Sequence, residues 1–304
     1  FGKFLERAAY KGSVVEIISS QYLAELASNS PEADLIYFTI LHQGMGNYLR
    51  NLNEEQSNEW TKIQGRFKPV EFTQDEDGLY QLVASSLTQT DSSSAQLNKW
   101  KSRVWNSSKK IPYFNNPVFE QTWPELMEKA YPFHPISLFA LPRLSRTLSQ
   151  NERTLFSFLG SDDPLALKNF LDKTPLDKNL PSLTVDYLYD FFVSGSGSIN
   201  LTPEIQRTIS ETDNALERVS DEDQLATRIV RTIGTLALLR TGSSIPTTKD
   251  VLATALDISG KAKLAEYDKA IEGLIQRKIL IYRRYSSEYR LWQGSDFDFD
   301  SFIS

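Results

Sequence analysis

The hydrophobic pattern of this chain changes period along its length. Between residues 14 and 27, Ile18, Tyr22 and Leu26 recur every fourth position with Leu23 beside them, the spacing of a helix face, and the segment 28–31 ends it. Residues 35–41 form a short apolar run, β-branched and aromatic at its centre, that stops at His42 and Gln43. A buried parallel strand reads this way when it delivers polar groups to its carboxyl edge. A polar stretch of helical length follows, then Gln64-Gly65-Arg66-Phe67 and a second apolar segment, 70–72. Strand, helix and strand in this order predict a parallel α/β layer, in which ligand chemistry gathers at the carboxyl ends of the strands.

Beyond residue 73 the helical period takes over. Thr73 is an N-cap candidate with Asp75, Glu76 and Asp77 in the first turn, and Leu79, Leu82, Val83 and Leu87 form one face. Residues 97–117 interleave Lys99, Lys101, Arg103, Lys109 and Lys110 with Trp100 and Trp105. That mixture suits single-stranded nucleic acid, by stacking and phosphate contact. It suits at least as well an insertion whose tryptophans dock inward while the lysines face solvent. Pro135 opens a helix in the manner of an N1 proline, with Ile136, Phe139 and Ala140 on one side. Asp186–Val193 is aromatic on every side, which predicts burial, and 194–198 (SGSGS) reads as a linker.

Residues 201–239 predict two helices meeting near Ser220 and Asp221, the second with Leu225, Ile229, Ile233 and Leu236 on one face. A short helix over 249–256 follows, then a third over 261–277 with Leu264, Tyr267, Ile271 and Leu274 aligned. A β-hairpin of 279–285 and 288–292 about Ser286-Ser287 completes a winged-helix order. The third helix mixes Lys263 and Lys269 with Glu266, Asp268 and Glu272, a poor face for a DNA groove, although Arg283, Arg284 and Arg290 make the wing basic.

Composition narrows the chemistry. At 304 residues the chain is long enough for two or three compact units, and 24% charged with 40% hydrophobic residues is ordinary for a globular protein. A formal charge of −6 argues against wholesale binding to nucleic acid or an anionic membrane. With no cysteine there is no disulfide framework and no thiolate metal site, and a reducing, cytoplasmic setting fits. Two histidines, His42 and His134, exclude a His-rich metal centre. No apolar run approaches the roughly 18 residues of a membrane span, and the first residues carry no signal-peptide pattern. No G-x-x-x-x-G-K-[ST] loop occurs, and no nucleophile–base–acid set stands out.

The order of elements over 35–72, with YRLWQGSDFDFD at 289–300, resembles the later part of bacterial AAA+/STAND-like P-loop ATPases of the defence-system type. The resemblance implies an α/β remnant of a P-loop ATPase core over 1–73, a mostly α-helical lid over 74–198 and a winged-helix domain over 199–304. It implies that His42 and Gln43 end a sensor strand, with Gln43 the better group to orient a water or meet a γ-phosphate, and that Arg66 is an arginine finger. It places Pro135 against an adenine base and makes Arg143, Arg146 and Arg153 candidates for a sensor arginine, Arg153 foremost. FGKFLE at the start resembles the residues after a Walker B acidic pair. ATP and Mg2+ would then be held in part by residues upstream, and this chain alone should not hydrolyse ATP.

The same resemblance implies self-association, an effector partner and antiphage defence. The residues also admit plainer roles: His42 as a hydrogen-bonded structural histidine, Arg66 paired with Glu59 or Glu71, and the lid arginines paired with Glu152, Asp162 or Asp163. At the level of the whole chain, the alternatives are a non-enzymatic DNA-binding or regulatory winged-helix module, and an ATPase-like scaffold that never binds nucleotide.

Overall fold

Side-chain caps turn several of the sequence's polar punctuation marks into helix starts. Asn116 accepts from the Phe119 N–H at 3.1 Å, Asp223 from Ala226 at 3.1 Å and Thr248 from Val251 at 3.4 Å. Each satisfies a donor that the first helical turn leaves without an intrahelical partner. The computed structural model describes residues 14–29, 35–39, 65–70, 76–88, 94–148, 154–175, 180–193, 201–220, 222–239 and 245–292. The chain divides into two compact units, residues 1–73 and 74–304.

In the first unit, helix α1 (Val14–Asn29) forms where the four-residue spacing places it. Of its expected apolar face, Tyr22, Leu23 and Leu26 are exposed, while Ala24 is covered. The parallel strand expected over 35–41 does not form over its described part, 35–39, and Ile40 and Leu41 lie outside the described residues. Residues 35–39 make no ladder, and Ile36 and Phe38 are 74% and 80% exposed. Residues 65–70 turn and extend without pairing, and Val70 is exposed. A parallel strand is stable when backbone partners flank it and side chains cover both faces. Apolar composition announces that need but does not supply the neighbours. Tyr37 does pack on Phe67, with ring centroids 5.8 Å apart.

The second unit is mostly helical. Helices α2 (Glu76–Ser85), α3 (Ser94–Ser108), α4 (Pro117–Lys129) and α5 (Pro135–Leu148) pack together, α2 and α3 each touching both α4 and α5. Short helices α6 (Leu155–Gly160) and α7 (Leu167–Lys173) follow, then α8 (Asp186–Val193). Helix α5 is buried along almost its whole length. It carries the expected N1 proline and touches α2, α3, α6, α8 and α10 (Gln224–Leu238). Before it, Phe133 forms a parallel bridge to Leu183, with the His134 N–H donating to Leu183 O at 3.0 Å.

Helix α9 (Pro203–Glu217) packs along α10. The two come so close that a Cβ on Gly234 would lie 2.5 Å from Thr212 Cγ2. Gly234→Ala is expected to destabilise the protein by about 1–3 kcal/mol through overpacking. Thr212→Ala in the same chain should return part of that loss, and paired urea titrations would show a full, unrescued cost if the contact were not the cause.

Helices α11 (Lys249–Ala255) and α12 (Lys261–Gln276) precede strands β1 (Leu280–Arg283) and β2 (Glu288–Leu291). These strands pair antiparallel with Arg283 opposite Glu288, joined by residues 284–287 with Ser287 at φ 54°. Among the described residues this hairpin is the whole of the sheet structure apart from the Phe133–Leu183 bridge. The segment before α11 is tied to β2: Tyr289 N–H donates to Thr247 O at 2.9 Å, and Thr247 Oγ1 donates to Tyr289 O at 2.6 Å. Tyr267, Ile271 and Leu274 are buried as their spacing predicts, whereas Leu264 is exposed. The boundary expected at 198/199 falls outside the described residues, and α10 packs on α8 before it as well as on α12 after it. No helix among the described residues is long and apolar enough to cross a membrane.

Candidate functional site

Two polar assemblies lie at opposite ends of α5. Toward its C-terminal end, Arg143 is gripped by four groups. Its Nη1 donates to Tyr80 OH and to Phe139 O at 3.0 Å, and its Nη2 donates to Tyr113 OH at 3.0 Å and to Glu76. The guanidinium also lies over the Phe139 ring, 3.7 Å from its centroid, and faces Tyr113 at 5.7 Å. Phe139 sits one turn earlier on the same helix, so its carbonyl and ring both meet the side chain that follows. Only 12% of the Arg143 side chain is exposed. Burial pushes the Tyr80 phenol well above its ordinary range, against the opposing pull of Arg143, so the phenol keeps its proton. Arg146, on the same face, reaches the second oxygen of Glu76 at 3.7 Å.

At the N-terminal end of α5, a seam of charged contacts joins residues 100–190 to residues 213–257. Arg103 lies 3.0 Å from the Asp257 carboxylate and donates to Leu180 O at 3.1 Å. Ser182 Oγ donates to Asp257 at 2.6 Å and accepts from Trp100 Nε1 at 2.8 Å. On α8 and α10, Asp186 accepts from Arg228 Nε at 2.9 Å, and Arg231 lies 2.8 Å from Asp190. Asp186 and Asp190 are one turn apart, as are Arg228 and Arg231, so facing helices place two like-charged pairs in register. Arg228 also donates to Thr184 Oγ1 at 3.0 Å and Leu256 O at 3.4 Å, and Tyr189 OH donates to Asp213 at 2.9 Å.

His134 is enclosed among these charges. Its Nδ1 accepts from the Ile136 N–H at 3.3 Å, which assigns the proton of the neutral ring to Nε2, and that nitrogen is buried without a partner. Desolvation by burial lowers its pKa to about 4; Asp257 and Asp186 raise it and Arg103 lowers it further, all to smaller extents. Asp186 Oδ1 is likewise buried and unpartnered.

Of the residues singled out in the sequence, Arg143 and Arg146 come together on one carboxylate, and Pro135 is buried in the first turn of α5, next to His134. Arg66, in the first unit, pairs with Glu25 across a partly exposed surface. His42, Gln43 and Arg153 lie outside the described residues. Trp100 and Trp105 are buried, Arg103 belongs to the seam and Lys101 donates to Glu128 at 2.6 Å, while Lys99, Lys109 and Lys110 are exposed, so the tryptophans dock inward and most of the lysines face solvent. Glu76, Tyr80 and Tyr113 escaped notice because they stand 67, 63 and 30 positions from Arg143. Only the acidic first turn of α2 hinted at one of them. Among the described residues no group of His, Asp and Glu side chains is placed to hold a metal ion. No family model, curated protein or solved structure matches this chain.

Proposed function

We propose that this chain is the later part of a bacterial P-loop ATPase, acting in antiphage defence, whose helical lid and winged helix carry nucleotide state to an oligomer or effector. The observation that supports it most is one buried helix that carries two arginines toward one end and starts beside a charged seam at the other. Arg143 and Arg146 converge on a pair of carboxylate oxygens near one end of α5, a donor set that also fits phosphate oxygens. The other end of α5 begins at His134 and Pro135, beside the seam to α10 and α11. A change in what the arginines bind therefore bears on a helix whose neighbours include both sides of that seam.

In this reading Arg66 is a finger arginine, Gln43 and His42 are polar groups that meet the nucleotide, and Pro135 meets the adenine. The sensor arginine is one of Arg143, Arg146 and Arg153, with Arg153 foremost, while Mg2+ is held by residues upstream. The helix–helix–helix–hairpin segment serves as a packing module. Its helix α12 exposes Lys263 and Lys269 together with Glu266 and Glu272, and Lys249 lies 2.9 Å from Asp268, which leaves no continuous basic face for a DNA groove.

The test is ATP binding and hydrolysis by the protein with its upstream residues. Arg66→Ala should lose hydrolysis while keeping binding, and Arg153→Ala should weaken either step. Absence of nucleotide binding, or wild-type behaviour in both variants, would overturn the reading.

A further inference from the structure

We propose that Glu76 is an intramolecular competitor for a phosphate group, holding the position between Arg143 and Arg146 that the ligand would take. The inference rests on the reading above for the identity of the ligand as a nucleotide, but its geometry stands on its own. Each oxygen of the Glu76 carboxylate faces a different guanidinium, Oε2 that of Arg143 and Oε1 that of Arg146 at 3.7 Å. Two oxygens bridging two guanidinium groups is an arrangement that phosphate reproduces with stronger charge-assisted bonds.

The rest of the cluster is built to keep Arg143 in place when its anion changes. Phe139 O, Tyr113 OH and Tyr80 OH hold three of its hydrogen bonds, and the Phe139 ring stacks beneath it. None of these contacts involves Glu76. The glutamate side chain, in contrast, is 37% exposed at the first turn of α2, so it can turn out to water at little cost. Its departure vacates the anion position without dismantling the support around the arginine. The two arginines therefore carry an occupant of their own, which sets a threshold: a ligand binds only by offering more negative charge than one carboxylate. Phosphate chains meet that condition and small monocarboxylates do not.

The experiment is calorimetric titration of wild type, Glu76→Gln and Glu76→Ala with inorganic triphosphate and, separately, with ATP. Both variants should bind triphosphate about two- to fivefold more tightly than wild type, the effect of removing one partly exposed ionic competitor. Adding Arg146→Ala to Glu76→Gln should abolish the gain. Unchanged triphosphate affinity in both folded variants, including no binding by any form, overturns the role of Glu76. A triphosphate gain without any ATP binding by the upstream-extended protein would uphold the competitor and sink the nucleotide reading. ATP binding that is indifferent to both Glu76 variants would do the reverse.

Discussion

Replacing Arg228 with methionine is expected to lower the free energy of unfolding by about 3 kcal/mol, and adding Asp186→Asn should return much of the loss. The asymmetry follows from where the two charges sit. The Asp186 side chain is 9% exposed, one of its oxygens has no partner, and the other accepts from Arg228 Nε at 2.9 Å. Methionine keeps an apolar stem of similar reach, so packing along α10 changes little. What is lost is the counter-charge of a carboxylate that has little water to turn to, and stranding such a group costs about 3–5 kcal/mol. The lower end applies because the arginine itself is partly exposed. Bonds to Thr184 Oγ1 and Leu256 O vanish as well, loosening the joint between α8, α10 and the end of α11. Urea unfolding followed by tryptophan fluorescence reads both chains. A cost below about 1 kcal/mol for Arg228→Met, the range of a surface pair, would mean that Asp186 does not depend on this partner.

That joint shows why helices were easier to read here than sites. The faces of α10 and α12 are set by local spacing, and Ile229, Ile233, Leu236, Tyr267, Ile271 and Leu274 are buried where the 3.6-residue period puts them. Helix α2 departs from its expected face because Tyr80, rather than Leu79, turns inward to meet Arg143. The apolar run at 35–41 departs for the opposite reason: a strand is defined by a ladder with neighbours elsewhere in the chain, and residues 35–39 form no ladder. The site residues behave like the strand. Arg143 was visible as a cation after a proline-opened helix, but its carboxylate and phenols come from α2 and the segment before α4. Charge pairs such as Arg103 with Asp257 span 154 positions, and no linear pattern marks them.

Acid is expected to act through His134 before it acts on the exposed carboxylates. The ring is fully buried with its pKa lowered from 6.5 to about 4, so between those values the unfolded chain binds more protons than the folded one. Stability therefore rises with pH across that window. The contribution is fully present above about pH 6.5 and declines as pH falls, reaching a loss of about 3 kcal/mol near pH 4. Asp257 and Asp186 moderate the drop by favouring the imidazolium, but burial outweighs them. His134→Asn offers a carboxamide oxygen to the Ile136 N–H in place of Nδ1 and removes the titrating group. Its curve of unfolding free energy against pH should be flatter from 6.5 to 4 even if its stability at pH 7 is lower, because a smaller side chain leaves space behind. Trp100 gives a local reading, since its indole N–H donates to Ser182, which in turn donates to Asp257. Charging His134 beside that chain should change Trp100 emission in wild type and not in His134→Asn. Parallel pH curves for the two proteins would show that the buried imidazole is not what acid attacks.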